Sequence, residues 1–289
     1  MLYLILSILG SVSVGILFKF SKKTNANIMQ MVLLNYIITV LLSYFNFNVE
    51  LNQLSLNLPI LTIILLGLLL PTIFVVQYLS IFYSGIIRTD IAQRMSLFIP
   101  ILAAIFIFKE QISTQRYIAL FIGLASVYLI LQRPNSVSET LSESKKNIIF
   151  PLLTFIGFGV IDILFKQLAL YSEVPYTSSL FYVFFSALIL TLLYYFIITI
   201  YKRNSLFTVN KNTLVYGILL GVLNFINILF YMKAHQVFAQ SPTTVFAGMN
   251  FGVIILGTLI GYFGFKEKLS KQNLIGLALV IVSILVILI

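Results

Sequence analysis

The chain has 289 residues, 60% of them hydrophobic and 9% charged, with a mean hydropathy of +1.07. That composition leaves too little polar surface to cover a soluble globule and places the protein in lipid. The net charge of +10 is scattered among short connections, which fits lipid headgroups and membrane orientation rather than nucleic acid, and the absence of cysteine excludes disulfides and thiolate metal sites.

Apolar windows long enough to cross a hydrocarbon core, which takes about 20 residues as a helix, predict ten spans: 2–20, 28–46, 58–84, 89–109, 114–131, 148–170, 175–201, 212–234, 240–265 and 270–289. They lack the strict alternation of a membrane barrel. The first span has no basic segment before it and no small-residue cleavage site after it, so it reads as part of the fold rather than a signal peptide. Lys19, near its end, can snorkel to the headgroups. Asn35 lies deep in the second span. The third is long enough to be tilted or bent, holds Pro71, and carries Gln77 at depth. Asp90, Gln93 and Arg94 open the fourth. Asp90 and Arg94, at i and i+4, can pair, and Arg94 is a candidate clamp for a carboxylate or phosphate, with an interface position as the plainer reading. Pro100 is a candidate kink. Between the fourth and fifth spans stands Phe108-Lys109-Glu110 with Ser113; Ser113 can cap the helix that follows, and Glu110 is favoured near that helix's positive end.

A polar, basic and Ser-rich linker, 132–147, precedes the sixth span, where Asp162 has apolar neighbours on both sides. An ionisable group at that depth is costly and invites a functional explanation. Asp162 is therefore a candidate proton-coupling or cation-binding carboxylate, or else one half of a structural pair with Lys166 at i+4. Lys166, like Lys19, reads as an interface anchor near a helix end. In the eighth span Asn224 and Asn227 lie mid-helix with Tyr231 one turn on, and Gly217 and Gly221 share the face of Asn224. His235, at the end of that span, reads as an interface residue. The ninth carries Asn250, a candidate kink at Pro242, and Gly248-x-x-x-Gly252 and Gly257-x-x-x-Gly261, a spacing that brings helices close. The buried amides either glue helices together or line a wet cavity for a polar substrate. The candidate cavity set is Asn35, Gln77, Gln93, Arg94, Asn224, Asn227, Tyr231 and Asn250, with Asp162 and Lys166 as the coupling or cation pair.

Two fragments recur. Ile16-Leu17-Phe18-Lys19 returns as Ile163-Leu164-Phe165-Lys166, an offset of 147 residues, and Phe108-Lys109-Glu110 with Ser113 returns as Phe265-Lys266-Glu267 with Ser270, an offset of 157. The offsets differ by no more than a loop insertion, so the chain reads as a tandem duplication, 1–131 and 148–289. Five spans per copy is an odd number, so the second copy enters the bilayer from the opposite face, which is the architecture of a transporter. The expected fold is an all-α integral membrane protein of ten transmembrane helices in two inverted five-helix repeats. Basic residues counted over the connections favour both termini outside.

The duplicated Phe-Lys-Glu-x-[Ile/Leu]-Ser turn, set before the last span of each copy, resembles the signature of the EamA branch of the drug/metabolite transporter superfamily. The resemblance covers essentially the whole chain. It implies a secondary transporter moving small metabolites or amino acids, often outward, through a central cavity. It also implies cytoplasmic termini, against the charge count. A multi-pass protein of the cytoplasmic membrane is expected, with lipids and a small-molecule substrate as its partners; a lipid-handling flippase or an uncoupled facilitator are the rival readings. Monomer and dimer both stay open. Without metal-ligand spacing, nucleophile elbow or Walker-type loop, no enzyme activity, metal or cofactor is expected.

Overall fold

A computed structural model of the chain describes residues 1–21, 24, 26–47, 58–131, 146–202, 210–265 and 271–288. Most of the linker, together with Lys266, Glu267 and Ser270, lies outside these residues, as do the side chains of Lys19 and Asp90. Helices follow one another in the order α1 (Leu2–Ser21), α2 (Ile28–Phe47), α3 (Ile60–Met95), α4 (Phe98–Phe106), α5 (Thr114–Leu131), α6 (Lys146–Ala169), α7 (Tyr176–Lys202), α8 (Lys211–Val237), α9 (Pro242–Phe265) and α10 (Lys271–Leu288). No strand occurs among the described residues. Six helical stretches there are long and apolar enough to cross a membrane: Ile28–Phe47, Ile60–Gln77, Ile148–Ala169, Tyr176–Ile197, Lys211–Val237 and Pro242–Gly264.

The boundary between the third and fourth expected spans needs correction. Helical backbone runs on through Ile60–Met95, so Gln93 and Arg94, expected to open the fourth span, lie within α3, on its second limb. The break comes later, at Ser96 and Leu97, because Pro100 cannot donate to the carbonyl four residues back and its ring crowds that carbonyl. α3 is nonetheless not straight. Gln77 Nε2 donates to Gln93 Oε1 at 2.8 Å, and the Ser80 and Thr89 hydroxyls lie 2.7 Å apart. In a straight helix, residues sixteen apart would be separated by about 24 Å. The chain therefore doubles back, and both pairs are centred on residues 84 and 85, a Ser-Gly step. α3 is a helical hairpin whose limbs run antiparallel, so the sequence-derived separation into two spans has a physical counterpart at its apex. Pro242, expected as a kink, instead takes the first position of α9, where its missing N–H costs nothing.

The chain divides into two compact units, and neither is a contiguous half of the sequence. The first comprises Met1–Phe74 and Leu164–Gln236; the second comprises Val75–Ile163 and Val237–Ile289. Within the first unit α2 packs on α7. Gln30 Nε2 donates to Tyr195 Oη at 3.0 Å and the rings of Tyr44 and Phe181 meet at 6.2 Å, so a step of fourteen residues forward in α2 is fourteen back in α7. The two helices are antiparallel. α8 sits against α1 and α2 in the same unit: a Cβ on Gly10 would lie 3.0 Å from Asn227 Cα, and one on Gly221 would lie 2.6 Å from Ile38 Cβ and 3.0 Å from the Asn35 carbonyl oxygen.

Within the second unit α5 packs on α10, and α4 on α9. Asn273 Nδ2 donates to the Leu129 carbonyl at 3.2 Å and Ser283 Oγ to the Ala119 carbonyl at 2.6 Å, so α5 and α10 are antiparallel as well. Leu97, Ile101, Ala119, Phe246, Phe251 and Val280 form the core where these helices meet. Gly257, expected as a packing glycine, faces open space with nothing within 4 Å of a Cβ. Spacing put it on a face that no neighbour covers.

Candidate functional site

Polar side chains collect in both units, with different degrees of enclosure. In the first unit Asn224 Nδ2 donates to Asn35 Oδ1 at 3.1 Å, and Ser7 Oγ donates to the side-chain and main-chain oxygens of Asn227 at 2.9 and 3.0 Å. Gly217 and Gly221 allow this by letting the backbone of α2 approach α8. Asn224 thus ties α8 to α2, and Asn227 ties it to α1. Asn35 is fully buried and its Nδ2 has no hydrogen-bond partner. These amides hold helices together, the use that small-residue interfaces in membranes favour.

Lys166 and His235 are both fully enclosed in the first unit, which corrects their reading as interface residues. A snorkelling lysine would leave its ammonium outside the protein. Here the Lys166 ammonium points at the carbonyl of His235 at 3.4 Å, in the last turn of α8, while Gln236 Nε2 donates to the carbonyl of Ala169, at the end of α6, at 3.4 Å. Each helix thus caps carbonyls that the other leaves without an intrahelical donor, and a cation at a helix C-terminus also meets the negative end of the dipole. Tyr231 packs edge-on against the His235 ring at 4.6 Å and against Phe165 at 6.1 Å. Composition gave no sign of this cluster, because the pairing is between two C-terminal turns distant in sequence.

In the second unit Gln77 and Gln93 are brought together on the facing limbs of the α3 hairpin. Ser80, Ser84 and Thr89, closer to the apex, are buried, whereas Gln77, Gln93 and Arg94 are half-buried. Ser80 and Thr89 were not singled out in the sequence; their i+3 and i−4 spacing from the two glutamines was the available signal. The two amides share a single bond. In this arrangement the Gln77 carbonyl and the Gln93 amino group are not used in that bond. Asp162 is also half-buried and belongs to this unit, while Lys166 belongs to the other. Asn250 turns its amide back to the Phe246 carbonyl of its own helix at 3.1 Å. The geometry therefore joins Gln77 to Gln93, and Asn35 to Asn224, and sends Asn227 and Asn250 elsewhere.

The duplicated turn behaves differently from expectation. Ser113 Oγ does accept from the backbone N–H of Arg116, at 3.4 Å, as a cap of α5. Glu110, however, reaches α9 as well as α5. Its Oε2 accepts from the Thr243 backbone N–H at 2.9 Å and from the Thr243 hydroxyl at 2.6 Å, in the first turn of α9, and Arg116 Nη1 approaches its Oε1 at 3.7 Å. Lys109 adopts a left-handed conformation, φ 52°, which aims the carboxylate there. Among the described residues no group of three or more His, Cys, Asp or Glu could hold a metal ion.

No protein-family model matches the chain. The crystal structure of one protein superposes on it with a TM-score of 0.72, covering 100% of this chain and 97% of that one at 12% identity, which shows a shared fold alone. A protein of Haemophilus influenzae, named only as uncharacterized, is 40% identical over 282 residues, 95% of this chain and 93% of the relative. At that identity and coverage, the chain belongs to the same family as the Haemophilus influenzae protein.

Proposed function

We propose that the protein is a secondary transporter of the EamA type within the drug/metabolite transporter superfamily. In this reading ten transmembrane helices form two inverted five-helix repeats in the cytoplasmic membrane, and small metabolites, amino acids or related compounds foremost, cross by alternating access, most often outward. The observation that carries it is the pairing of α2 with α7, α4 with α9 and α5 with α10. Each is a helix of the first copy against its counterpart in the second, and the two pairs whose direction is fixed by contacts are antiparallel. Inverted duplication produces that arrangement, because a two-fold axis in the membrane plane turns each helix over onto its equivalent. The half-buried amides of the α3 hairpin supply polar groups of the kind a solute needs at membrane depth.

The test is uptake into proteoliposomes of a pooled panel of labelled amino acids and small metabolites, with and without an imposed pH gradient, alongside Asp162→Asn. Gradient-driven accumulation lost in the variant places Asp162 in the coupling step. Equilibration that survives the variant leaves a facilitator. No flux of any panel member rejects the metabolite-transport reading and turns attention to movement of lipid.

A further inference from the structure

We infer that Tyr3, Tyr176, Phe230 and Lys233 form a binding site in the first unit for the phosphate of an anionic membrane lipid; this rests on the apolar helices lying in a bilayer and holds whether or not the protein carries solute. α1 and α8 run antiparallel, because Ser7 bonds to Asn227 while Tyr3 stacks on Phe230, earlier in one helix and later in the other. The two rings stand 6.0 Å apart at 14°. Lys233, one turn beyond Phe230, places its ammonium 5.6 Å from the centroid of each, within the range at which a ring face attracts a cation. The Tyr176 phenol, at the start of α7, interacts electrostatically with that of Tyr3. Three helix ends thus gather here: the first turn of α1, the first residue of α7 and the last two turns of α8.

The cluster holds a cation without its anion. Among the described residues Lys233 makes neither an ion pair nor a hydrogen bond, and Glu173, exposed three residues before Tyr176, does not reach it. Contact with two rings steadies the ammonium, yet its three N–H donors still want oxygen acceptors. The Tyr3 and Tyr176 hydroxyls, which make no hydrogen bond among the described residues, add two more donors. Lys233 and Tyr176 are half-buried and Tyr3 is exposed, so a ligand can enter from outside the unit. Phosphate brings several acceptor oxygens to one point, and lysine binds it as a point charge. The position at helix ends selects lipid as its source, since Lys and Tyr there stand at headgroup level. Leu2, Ile5 and Leu9, exposed on the neighbouring face of α1, offer apolar surface to the acyl chains of the same molecule. A zwitterionic headgroup carries its own cation, which competes with Lys233, so headgroups of net negative charge are preferred.

Native mass spectrometry of the full chain in detergent, titrated with phosphatidylglycerol or phosphatidylcholine, tests this. Phosphatidylglycerol is expected to bind at least about fivefold more tightly. K233Q should remove that preference, K233R should keep it, and K211Q, which neutralises an exposed lysine at the other end of α8, should leave it unchanged. Y3F/Y176F keeps every ring and removes only the two hydroxyl donors, so it should weaken phosphatidylglycerol by a smaller factor. No preference between the lipids, a preference that survives K233Q, or an equal loss in K211Q overturns the site. Where K233Q fails to fold, unchanged binding in Y3F/Y176F overturns it instead. Added inorganic phosphate is expected to leave the lipid in place; displacement would assign the cluster to a dissolved anion and overturn the lipid. Bound lipid with no solute flux in proteoliposomes would keep this site and reject the transporter reading.

Discussion

Lys109 is the residue where local strain and long-range contact meet. Its φ of 52° is a conformation that side chains with a Cβ rarely adopt, and it follows a C-terminal turn in which the Phe108 and Glu110 N–H groups reach back to Ala103 and Ala104. Lys109→Gly removes the penalty while leaving the turn intact, so it should raise stability by about 0.5–1 kcal/mol, read as unfolding in detergent. Beside it, the Glu110 side chain is 1% exposed and satisfies two donors of α9. Glu110→Ala strands the Thr243 N–H and hydroxyl in a buried place and should cost about 1–3 kcal/mol, with Glu110→Gln costing less. The same substitutions at a glutamate that only neighboured α5 would barely register. Sequence spacing shows that Glu110 precedes the cap Ser113 by three residues. It does not show that a left-handed backbone sends the carboxylate to a helix 133 residues away.

Helices were legible from hydropathy because a span must be apolar for its full length. Which helix face meets which neighbour was not, since spacing fixes only which residues share a side. The glycines illustrate the difference. Gly221 has the Asn35 carbonyl and Ile38 at contact range, and Gly257 has nothing, although both belong to equally spaced small-residue pairs. Gly221→Ala should therefore destabilise by about 1–3 kcal/mol through overpacking, whereas Gly257→Ala should be neutral or slightly stabilising, both read by thermal melts of the purified protein. The α3 hairpin makes the same point with polar groups. Its existence depends on long apolar limbs that the sequence displays, and its register on the Gln77–Gln93 and Ser80–Thr89 bonds, which the sequence does not. A double-mutant cycle over Gln77→Leu and Gln93→Leu should return a coupling of about 0.6 kcal/mol, the usual size for an interhelical bond in a membrane; additive effects would mean that the limbs are held by apolar contacts alone.

At the scale of the whole chain, α2 packs on α7, α4 on α9 and α5 on α10, the contacts on which the proposed duplication rests. Gln115 and Gln272 are exposed residues at matching places in α5 and α10, 157 residues apart. If the copies are inverted, single cysteines there should be labelled by a membrane-impermeant thiol reagent from opposite faces of the membrane; labelling from one face would remove the inversion. The compact units were beyond the reach of the sequence, because each is assembled from two segments distant in the chain and a linear pattern of spans carries no record of which ones gather. The antiparallel pairing also has an electrical consequence. An α-helix carries about half an elementary charge of opposite sign at each end, and laying α2 against α7 and α5 against α10 head to tail cancels those end charges pair by pair. The membrane potential acts on a translocated charge with about 2.3 kcal/mol per 100 mV, yet it finds no net backbone dipole in these pairs to pull on. If the protein carries solute as proposed, these four helices would contribute no net backbone dipole to a voltage dependence of the flux.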